Sequence, residues 1–153
     1  MIPINVDKLP EKYRMIPHEE NGLFCYMRYA HTSEKRASSG SILYYLGAEE
    51  HSMFHSIDCD EFWAYNEGET LEIWIIYPDE GFSVVRLGTG DGDTPLAFIP
   101  KGSIFACRHA KGSAEGTLIS AITVPGYVEA HSNTIYKRED MTSRFPFLED
   151  FWK

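Results

Sequence analysis

The sequence predicts an all-β fold, and three features of its 153 residues indicate it. Nine short segments are rich in aromatic and β-branched residues, which favour strands. Turn residues interrupt these segments at intervals of roughly ten residues, as at positions 66–69 and 78–81. Helical periodicity is weak except near the two ends. Many short strands of even spacing are typical of a β-sandwich or a β-barrel.

The predicted elements follow one another without an interruption that would divide the chain. A short helix is expected over residues 6–13 and another over 138–148, because only there do apolar residues recur with helical spacing. Between them we expect strands at 23–30, 41–46, 52–57, 61–66, 70–77, 82–87, 96–99, 103–108 and 118–124. Since no linker or repeat is present, residues 1–153 are predicted to form one domain, with its core at about 18–127 and the segment 128–153 packed outside.

Composition excludes several classes of partner. The formal net charge of −9 repels the phosphates of nucleic acids and the anionic lipids of membrane surfaces. No apolar stretch is long enough to cross a membrane, and the N-terminal residues lack the basic start and apolar run of a secretory signal. The three cysteines have no paired spacing, which suits a reducing compartment. We therefore expect a cytoplasmic protein that binds a small molecule, without nucleic-acid or membrane partners.

The segment 55–68 combines the residue types of a reactive site. Side chains alternate between faces along a strand, so His55 and Ile57 share a face before a turn. Glu61, Trp63 and Tyr65 share a face after it. If the two strands pair, a histidine, a carboxylate and two aromatic rings meet on one face. An imidazole has a pKa near neutral pH without any shift, which suits general acid–base chemistry.

The spacing in this segment resembles the first motif of the cupins. That motif reads Gly, five residues, His-x-His, three or four residues, Glu, six residues, Gly. His55, Glu61 and Gly68 fall on this pattern, whereas Ile57 replaces the second histidine.

The second cupin motif is matched only in part. It reads Pro-x-Gly, two residues, His, three residues, Asn, and residues 100–102 supply its first three positions. Phe105 stands at the histidine position and His109 at the asparagine position. The resemblance therefore implies a cupin in which half of the usual set of metal ligands is missing.

Longer stretches are similar to one branch, the RmlC-like family of small proteins known as the fifth cupin family, a domain of unknown function. The shared features are a Ser-rich entry to an Ile-Tyr-rich strand, His-x-hydrophobic-x-x-Asp-Glu-x-Trp, Gly-x-x-Leu-Glu, Leu-Gly, Pro-x-Gly, and Pro-Gly followed by an aromatic residue. They correspond here to residues 38–45, 55–63, 68–72, 87–88, 100–102 and 123–127. The resemblance covers roughly residues 18–127. It implies a double-stranded β-helix, the cupin jelly-roll barrel, with short terminal helices.

The first barrel strand departs from this branch. Relatives tend to have His-x-Glu-Gly-Gly followed by an aromatic pair, an arginine and a glutamate. Residues 18–22 of this chain read His-Glu-Glu-Asn-Gly, and the Arg-Glu pair does not follow. Ligand contacts that this pair makes in relatives are therefore not expected here.

RmlC-type epimerases resemble this fold and act without a metal, using a histidine base and a tyrosine acid. The resemblance implies an isomerase, epimerase or lyase that needs no cofactor and acts on a sugar-like or carbonyl small molecule. His55 is the expected base and Glu61 its hydrogen-bonding partner. Tyr65 or Tyr44 would supply a proton from the opposite side.

The same resemblance suggests the walls of a ligand site. Trp63 and Phe105 would form an apolar wall against a sugar or base face, and His109 would be a polar group near the rim. Tyr44 would also contact the ligand. The plain alternative for these aromatic residues is a place in the core or in a dimer interface.

Two further functions stay open on the sequence alone. One is a small-molecule binding or sensing cupin without chemistry. The other is a metal-dependent cupin enzyme, in which His55, Glu61 and His109 hold a divalent transition metal with a reduced ligand set. A homodimer is expected because relatives commonly dimerise and because aromatic residues such as Trp74, Phe82 and Phe98 need cover from solvent.

Overall fold

The computed structural model describes residues 3–30, 36–128 and 133–153, except for the side chains of residues 28–30. Two antiparallel sheets form its body. The strands are β1 (Ile16–Pro17), β2 (Leu23–Ala30), β3 (Ser39–Leu46), β4 (His55–Ile57), β5 (Asp60–Gly68), β6 (Leu71–Ile76), β7 (Phe82–Leu87), β8 (Leu96–Ile99), β9 (Ile104–His109), β10 (Thr117–Val124) and β11 (Asn133–Ile135). The larger sheet has the order β1-β2-β3-β10-β5-β8, and the smaller one β11-β4-β9-β6-β7. The all-β prediction is confirmed.

Short helices flank the sheets at both ends of the chain. A 3-10 turn at Val6–Lys8 leads into α1 (Leu9–Lys12). The side chain of Asn5 begins that turn by accepting a hydrogen bond from the backbone N–H of Asp7. Near the C-terminus α2 (Arg138–Arg144) is followed by a 3-10 helix at Pro146–Trp152, so the second predicted helix is divided in two.

The inner faces of the two sheets enclose the main core. Alternation along each strand turns every second side chain inward, where apolar residues of both sheets meet. Thus Ile73 and Ile75 of β6 face Ile119 and Ala121 of β10 across the barrel interior. This packing fixes the two sheets against each other, and with them the side chains that project into the space between them.

The outer face of the smaller sheet is covered by the C-terminal helices. Trp74 of β6 packs against Phe151, with the ring centroids 5.5 Å apart, and Met141 and Leu148 belong to the same buried cluster. Trp74 is therefore covered within the chain. Phe98 is half-exposed on the outer face of the larger sheet, and the homodimer stays a prediction.

The strands β4 and β5 do not pair with each other, so the expectation of one shared sheet face is wrong. β4 pairs with β9 and β11 in the smaller sheet, whereas β5 pairs with β8 and β10 in the larger one. The two residues between the strands carry the chain from one sheet to the other. His55 and Glu61 therefore face the barrel interior from opposite sheets.

None of the helices in the described parts of the chain is long and apolar enough to span a membrane.

Candidate functional site

A cavity of about 430 Å³ opens between the two sheets. Its lining comes from β1, β2, β3, β4, β5 and β10 and from the turn between β1 and β2. Aromatic and aliphatic side chains form most of the wall, and the carboxylates of Glu19, Glu20 and Glu61 interrupt it. A concave, largely apolar space with a few converging polar groups is the usual form of a small-molecule site.

The turn at residues 18–22 holds Glu20 at this cavity. Asn21 and Gly22 adopt positive φ angles of 74° and 80°, a conformation that glycine and asparagine tolerate best. The phenol of Tyr44 donates a hydrogen bond to the carbonyl of Asn21 at 2.9 Å. The backbone N–H of Met53 donates to the carbonyl of Glu20, also at 2.9 Å. The turn is thus fixed to β3 and to the segment that leads into β4.

Glu20 and His55 form a buried ion pair. Nδ1–H of His55 donates to the carbonyl of Met53 at 2.9 Å, and Nε2 lies 2.9 Å from Oε2 of Glu20. Burial alone would lower the pKa of His55, but the Glu20 carboxylate reverses that effect and raises it. Burial likewise acts to raise the pKa of Glu20, and the His55 charge overcomes this and lowers it. The pairing therefore favours the protonated imidazole and the ionised carboxylate.

Neighbouring side chains hold the Glu20 carboxylate in place. Nδ2 of Asn133 donates to Oε1 of Glu20 at 2.6 Å. His18 is neutral, because its Nδ1 accepts a hydrogen bond from the Glu20 backbone N–H at 3.2 Å and burial lowers its pKa. The positive charge at this end of the cavity therefore resides on His55.

Glu61 is the second buried carboxyl group of the cavity, and it has no ion-pair partner among the described residues. Its Oε2 has no hydrogen-bond partner in the part of the chain that the structure describes. Burial raises the pKa of Glu61 to about 7, and the Trp63 indole and the His55 cation oppose this shift only in part. The indole N–H of Trp63 lies near this carboxyl group and favours its ionised form. A carboxyl group with a pKa near neutral pH can exchange protons at working pH.

The cavity brings together four of the residues singled out from the sequence. His55, Glu61, Trp63 and Tyr44 all line it. The Tyr44 hydroxyl is committed to the Asn21 carbonyl, and burial raises its pKa well above the ordinary value. Its proton is therefore held more firmly than that of a free phenol.

The other three residues lie outside the cavity lining. Phe105 is buried behind His55, with the ring centroids 4.2 Å apart. His109 is buried rather than at a rim, and its Nε2 lies 2.8 Å from Oγ1 of Thr117. The Tyr65 hydroxyl donates to the carbonyl of Gly68 at 2.7 Å. Phe105 therefore supports a residue of the cavity wall from behind, and His109 and Tyr65 stabilise other parts of the barrel.

The Tyr65→Phe variant is expected to lose about 1 kcal/mol in the free energy of unfolding. The change removes one hydrogen bond, to the Gly68 carbonyl, and keeps the ring in place. Urea denaturation followed by fluorescence measures the difference. Unchanged stability would contradict the hydrogen bond assigned to this hydroxyl.

A metal centre of the cupin type does not fit the residues present. Ile57 lines the cavity at the second histidine position, and buried Phe105 takes the later histidine position. Of the metal ligands of the cupin motifs, His55 and Glu61 remain. Nε2 of His55 already lies 2.9 Å from the Glu20 carboxylate. Within the described ranges no group of three or more His, Cys, Asp or Glu side chains is arranged to hold a metal ion.

Glu20 is the member of the site that the sequence reasoning missed. It lies 35 positions before His55, on a turn and not on a strand. The sequence does contain a signal for Glu20. Residues 18–22 keep the histidine and the glutamate of the His-x-Glu-Gly-Gly motif found in relatives.

Solved structures similar to this chain share its fold. A protein, SO0799, from Shewanella oneidensis is 24% identical, with 97% of this chain and 94% of that chain covered and a TM-score of 0.88. A hypothetical protein from Leishmania major is 22% identical, with 95% of each chain covered and a TM-score of 0.84. Oxalate decarboxylase from Bacillus subtilis is 13% identical, with 85% of this chain and 34% of that chain covered and a TM-score of 0.61.

Comparison with curated proteins finds no match. A family model described as "Cupin superfamily (DUF985)" matches residues 7–134, which is most of the chain. The match agrees with the jelly-roll arrangement of the two sheets and with the family suggested by the spacing of His55, Glu61 and Gly68. The chain therefore belongs to the cupin superfamily, in the family of domains designated DUF985.

Proposed function

We propose that the protein is a metal-independent isomerase or lyase that moves a proton on a small carbonyl compound bound in the cavity. The observation that carries this proposal is the Glu61 carboxyl group. It is buried in the cavity wall, its Oε2 has no partner among the described residues, and burial raises its pKa to about 7. Such a group accepts a proton from carbon and returns it at neutral pH.

The roles differ from those expected on sequence grounds. His55 was the expected base, but its pairing with Glu20 raises its pKa and favours its protonated form, so we assign the role of base to Glu61. In the proposed step the proton next to the carbonyl group passes to the Glu61 carboxylate. The electron pair of that C–H bond forms a carbon–carbon double bond, the π pair of the carbonyl group moves to its oxygen, and the His55 imidazolium offsets the charge that develops there.

A single base favours some reactions of this class over others. Epimerisation needs a second acid on the opposite face of the substrate, and the Tyr44 proton is held by the Asn21 carbonyl. A proton shift between neighbouring carbons, or elimination of a group next to the acidified carbon, needs only the one carboxyl group. Isomerase and lyase chemistry are therefore favoured over epimerase chemistry.

Exchange of carbon-bound hydrogen with solvent tests the proposal without knowledge of the substrate. Hydroxyacetone, dihydroxyacetone and glyceraldehyde are incubated with the protein in deuterium oxide, and loss of the proton next to the carbonyl group is followed by NMR. We expect catalysed exchange that persists with a chelator and rises with pH through about 7, as Glu61 ionises. Glu61→Gln should lower the rate by about a hundredfold or more.

Glu139→Gln is the matched control, because Glu139 is exposed in α2, outside the cavity lining. It should exchange at the wild-type rate. Equal rates in wild type and Glu61→Gln would exclude Glu61 as the base. A compound that binds in the cavity without exchange would support the binding protein that the sequence left open, and activity lost to the chelator would support a metal enzyme.

A further inference from the structure

The proposed step calls for a hydrogen-bond donor at the carbonyl oxygen of the substrate, because negative charge develops on that atom. His55 has no N–H group to spare for it. Its Nδ1–H donates to the carbonyl of Met53 at 2.9 Å, and its Nε2 lies 2.9 Å from Oε2 of Glu20. Both ring nitrogens of His55 are thus occupied within the protein, so a donor has to come from another residue.

Three side chains in the described lining of the cavity carry an N–H group, namely His18, His55 and Trp63. Nε1 of Trp63 is fully buried beside the Glu61 carboxyl group. The side chain of His18 is 17% exposed. Its Nε2 is not among the fully buried polar atoms, and it has no hydrogen-bond partner in the part of the chain that the structure describes. His18 is therefore the side chain of this group that can offer an N–H to a ligand.

The hydrogen bonds of His18 identify which of its nitrogens carries the proton. Nδ1 accepts a hydrogen bond from the backbone N–H of Glu20 at 3.2 Å, so it presents a lone pair. Oε2 of Glu20 lies 3.8 Å from the same nitrogen, which is too far for a hydrogen bond. A neutral imidazole that accepts at Nδ1 has its proton on Nε2. Burial favours this neutral form, because it lowers the pKa of His18.

Neighbouring rings hold the imidazole of His18 in place at the cavity wall. It meets the ring of Phe24 edge to face, with the centroids 4.9 Å apart and an interplanar angle of 79°. It meets Tyr44 in the same way at 5.6 Å and 86°. Both aromatic residues line the cavity. A donor that is fixed before the substrate binds needs little rearrangement when charge develops.

His18 and His55 lie at the same end of the cavity. Oε2 of Glu20 is 2.9 Å from Nε2 of His55 and 3.8 Å from Nδ1 of His18, so the two imidazoles flank one carboxylate oxygen. The pairing with Glu20 favours the charged form of His55, whereas His18 is neutral. A carbonyl oxygen at this end of the cavity can therefore meet the charge of one ring and the N–H of the other.

We propose that His18, with its proton on Nε2, is a catalytic residue that donates a hydrogen bond to the carbonyl oxygen of the substrate. This inference rests on the proposed function, since it assigns the donor for the step in which Glu61 takes a proton from carbon. The hydrogen bond strengthens as the π pair of the carbonyl group moves to the oxygen. No proton leaves His18, so the ring is unchanged at the end of the step.

Phenylacetone and propylbenzene test the hydrogen bond, because they have the same shape with and without a carbonyl oxygen. Each is titrated at pH 8 into protein labelled with 15N in its histidine rings, and the ring nitrogens are followed by NMR. We expect His18 to carry its proton on Nε2, and phenylacetone to shift that signal more than propylbenzene does, with saturation. A proton on Nδ1, no saturable binding of phenylacetone, or binding that leaves Nε2 unshifted would overturn the proposal.

His18→Asn removes the donor and keeps the turn, because an asparagine side-chain oxygen can accept the Glu20 N–H two residues on. It should weaken binding of phenylacetone about fivefold, as expected for one hydrogen bond, and leave binding of propylbenzene unchanged. Catalysed exchange of the phenylacetone protons in deuterium oxide should become about a hundredfold slower. Wild-type affinity and exchange in His18→Asn would exclude His18 as the donor.

His51→Asn is the matched control, because His51 contacts the carbonyl of Ser52 and lies outside the cavity lining. It should bind phenylacetone and exchange its protons as wild type does. If phenylacetone binds at Nε2 of His18 and no carbonyl compound exchanges hydrogen, the catalytic function is wrong and the hydrogen bond to a ligand carbonyl stands. If exchange depends on Glu61 and is unchanged in His18→Asn, the role of His18 is wrong and the catalytic function stands.

Discussion

Glu61→Gln is expected to raise the free energy of unfolding by about 3 kcal/mol at pH 8 and to leave it nearly unchanged at pH 4. The pKa of Glu61 is about 7 in the folded protein, against an ordinary value of 4.5. Between these values the folded state keeps a proton that the unfolded chain has lost. The carboxyl group therefore makes the protein less stable as pH rises from 4.5 to 7. Glutamine is neutral at every pH, so the free energy of unfolding of the variant does not fall in this way.

Urea denaturation at pH 4, 6 and 8 measures the effect. The urea concentration at the unfolding midpoint should become lower for wild type than for Glu61→Gln as pH rises. The difference between the two midpoints should stop growing above about pH 7. Glu139→Gln, which changes an exposed carboxyl group of α2 in the same way, should follow the wild type throughout. Parallel curves for wild type and Glu61→Gln would mean that the pKa of Glu61 is not raised.

A gain in stability in Glu61→Gln would indicate that Glu61 does not serve to stabilise the fold. A carboxyl group that serves only the fold would carry a partner for each oxygen, as Glu20 does with His55 and Asn133. Glu61 keeps Oε2 unpaired at a cavity wall. Groups that lower stability and point into a cavity are typical of functional sites.

The sequence predicted most strands because their signal is local. β2, β7 and β8 have the predicted bounds, since aromatic and β-branched residues fill them and turn residues flank them. β1 and β11 were missed because strands of two or three residues are too short to show alternation. Proline in β1 also argues against a strand, although an edge strand tolerates it.

The site was predicted less completely because it depends on contacts between distant segments. His55 and Glu61 were found from their spacing, which is local. Their placement on opposite sheets was missed, since the three residues between the predicted strands 52–57 and 61–66 usually indicate a hairpin, whereas here the chain crosses to the other sheet after Ile57. The ion pair of His55 with Glu20 depends on a turn that no strand pattern predicts. The protonation of His55 follows from that contact and could not be predicted before it.

Glu20→Gln is expected to lower the free energy of unfolding by about 3 kcal/mol at pH 6, because it leaves the buried His55 without its counter-charge. The raised pKa of His55 contributes stability that is complete below 6.5 and is lost as pH rises through the folded value. The lowered pKa of Glu20 contributes stability that is present above 4.5 and is lost as pH falls through the folded value. The loss in the variant is therefore largest between these limits.

The pKa of His55, followed by NMR of its ring nitrogens, separates this ion pair from a general weakening of the turn. In Glu20→Gln the largest opposition to burial is lost and only the Met53 carbonyl and the Glu61 charge still favour the cation, so the pKa of His55 should fall below its ordinary value of 6.5. Glu19→Gln alters the same turn and the Asn133 amide that Glu19 shares with Glu20, but it keeps the Glu20 carboxylate beside His55, so the pKa of His55 should stay raised. If the pKa of His55 stays raised in Glu20→Gln, another group favours its protonated form, and the pairing with Glu20 is not what raises the pKa of His55.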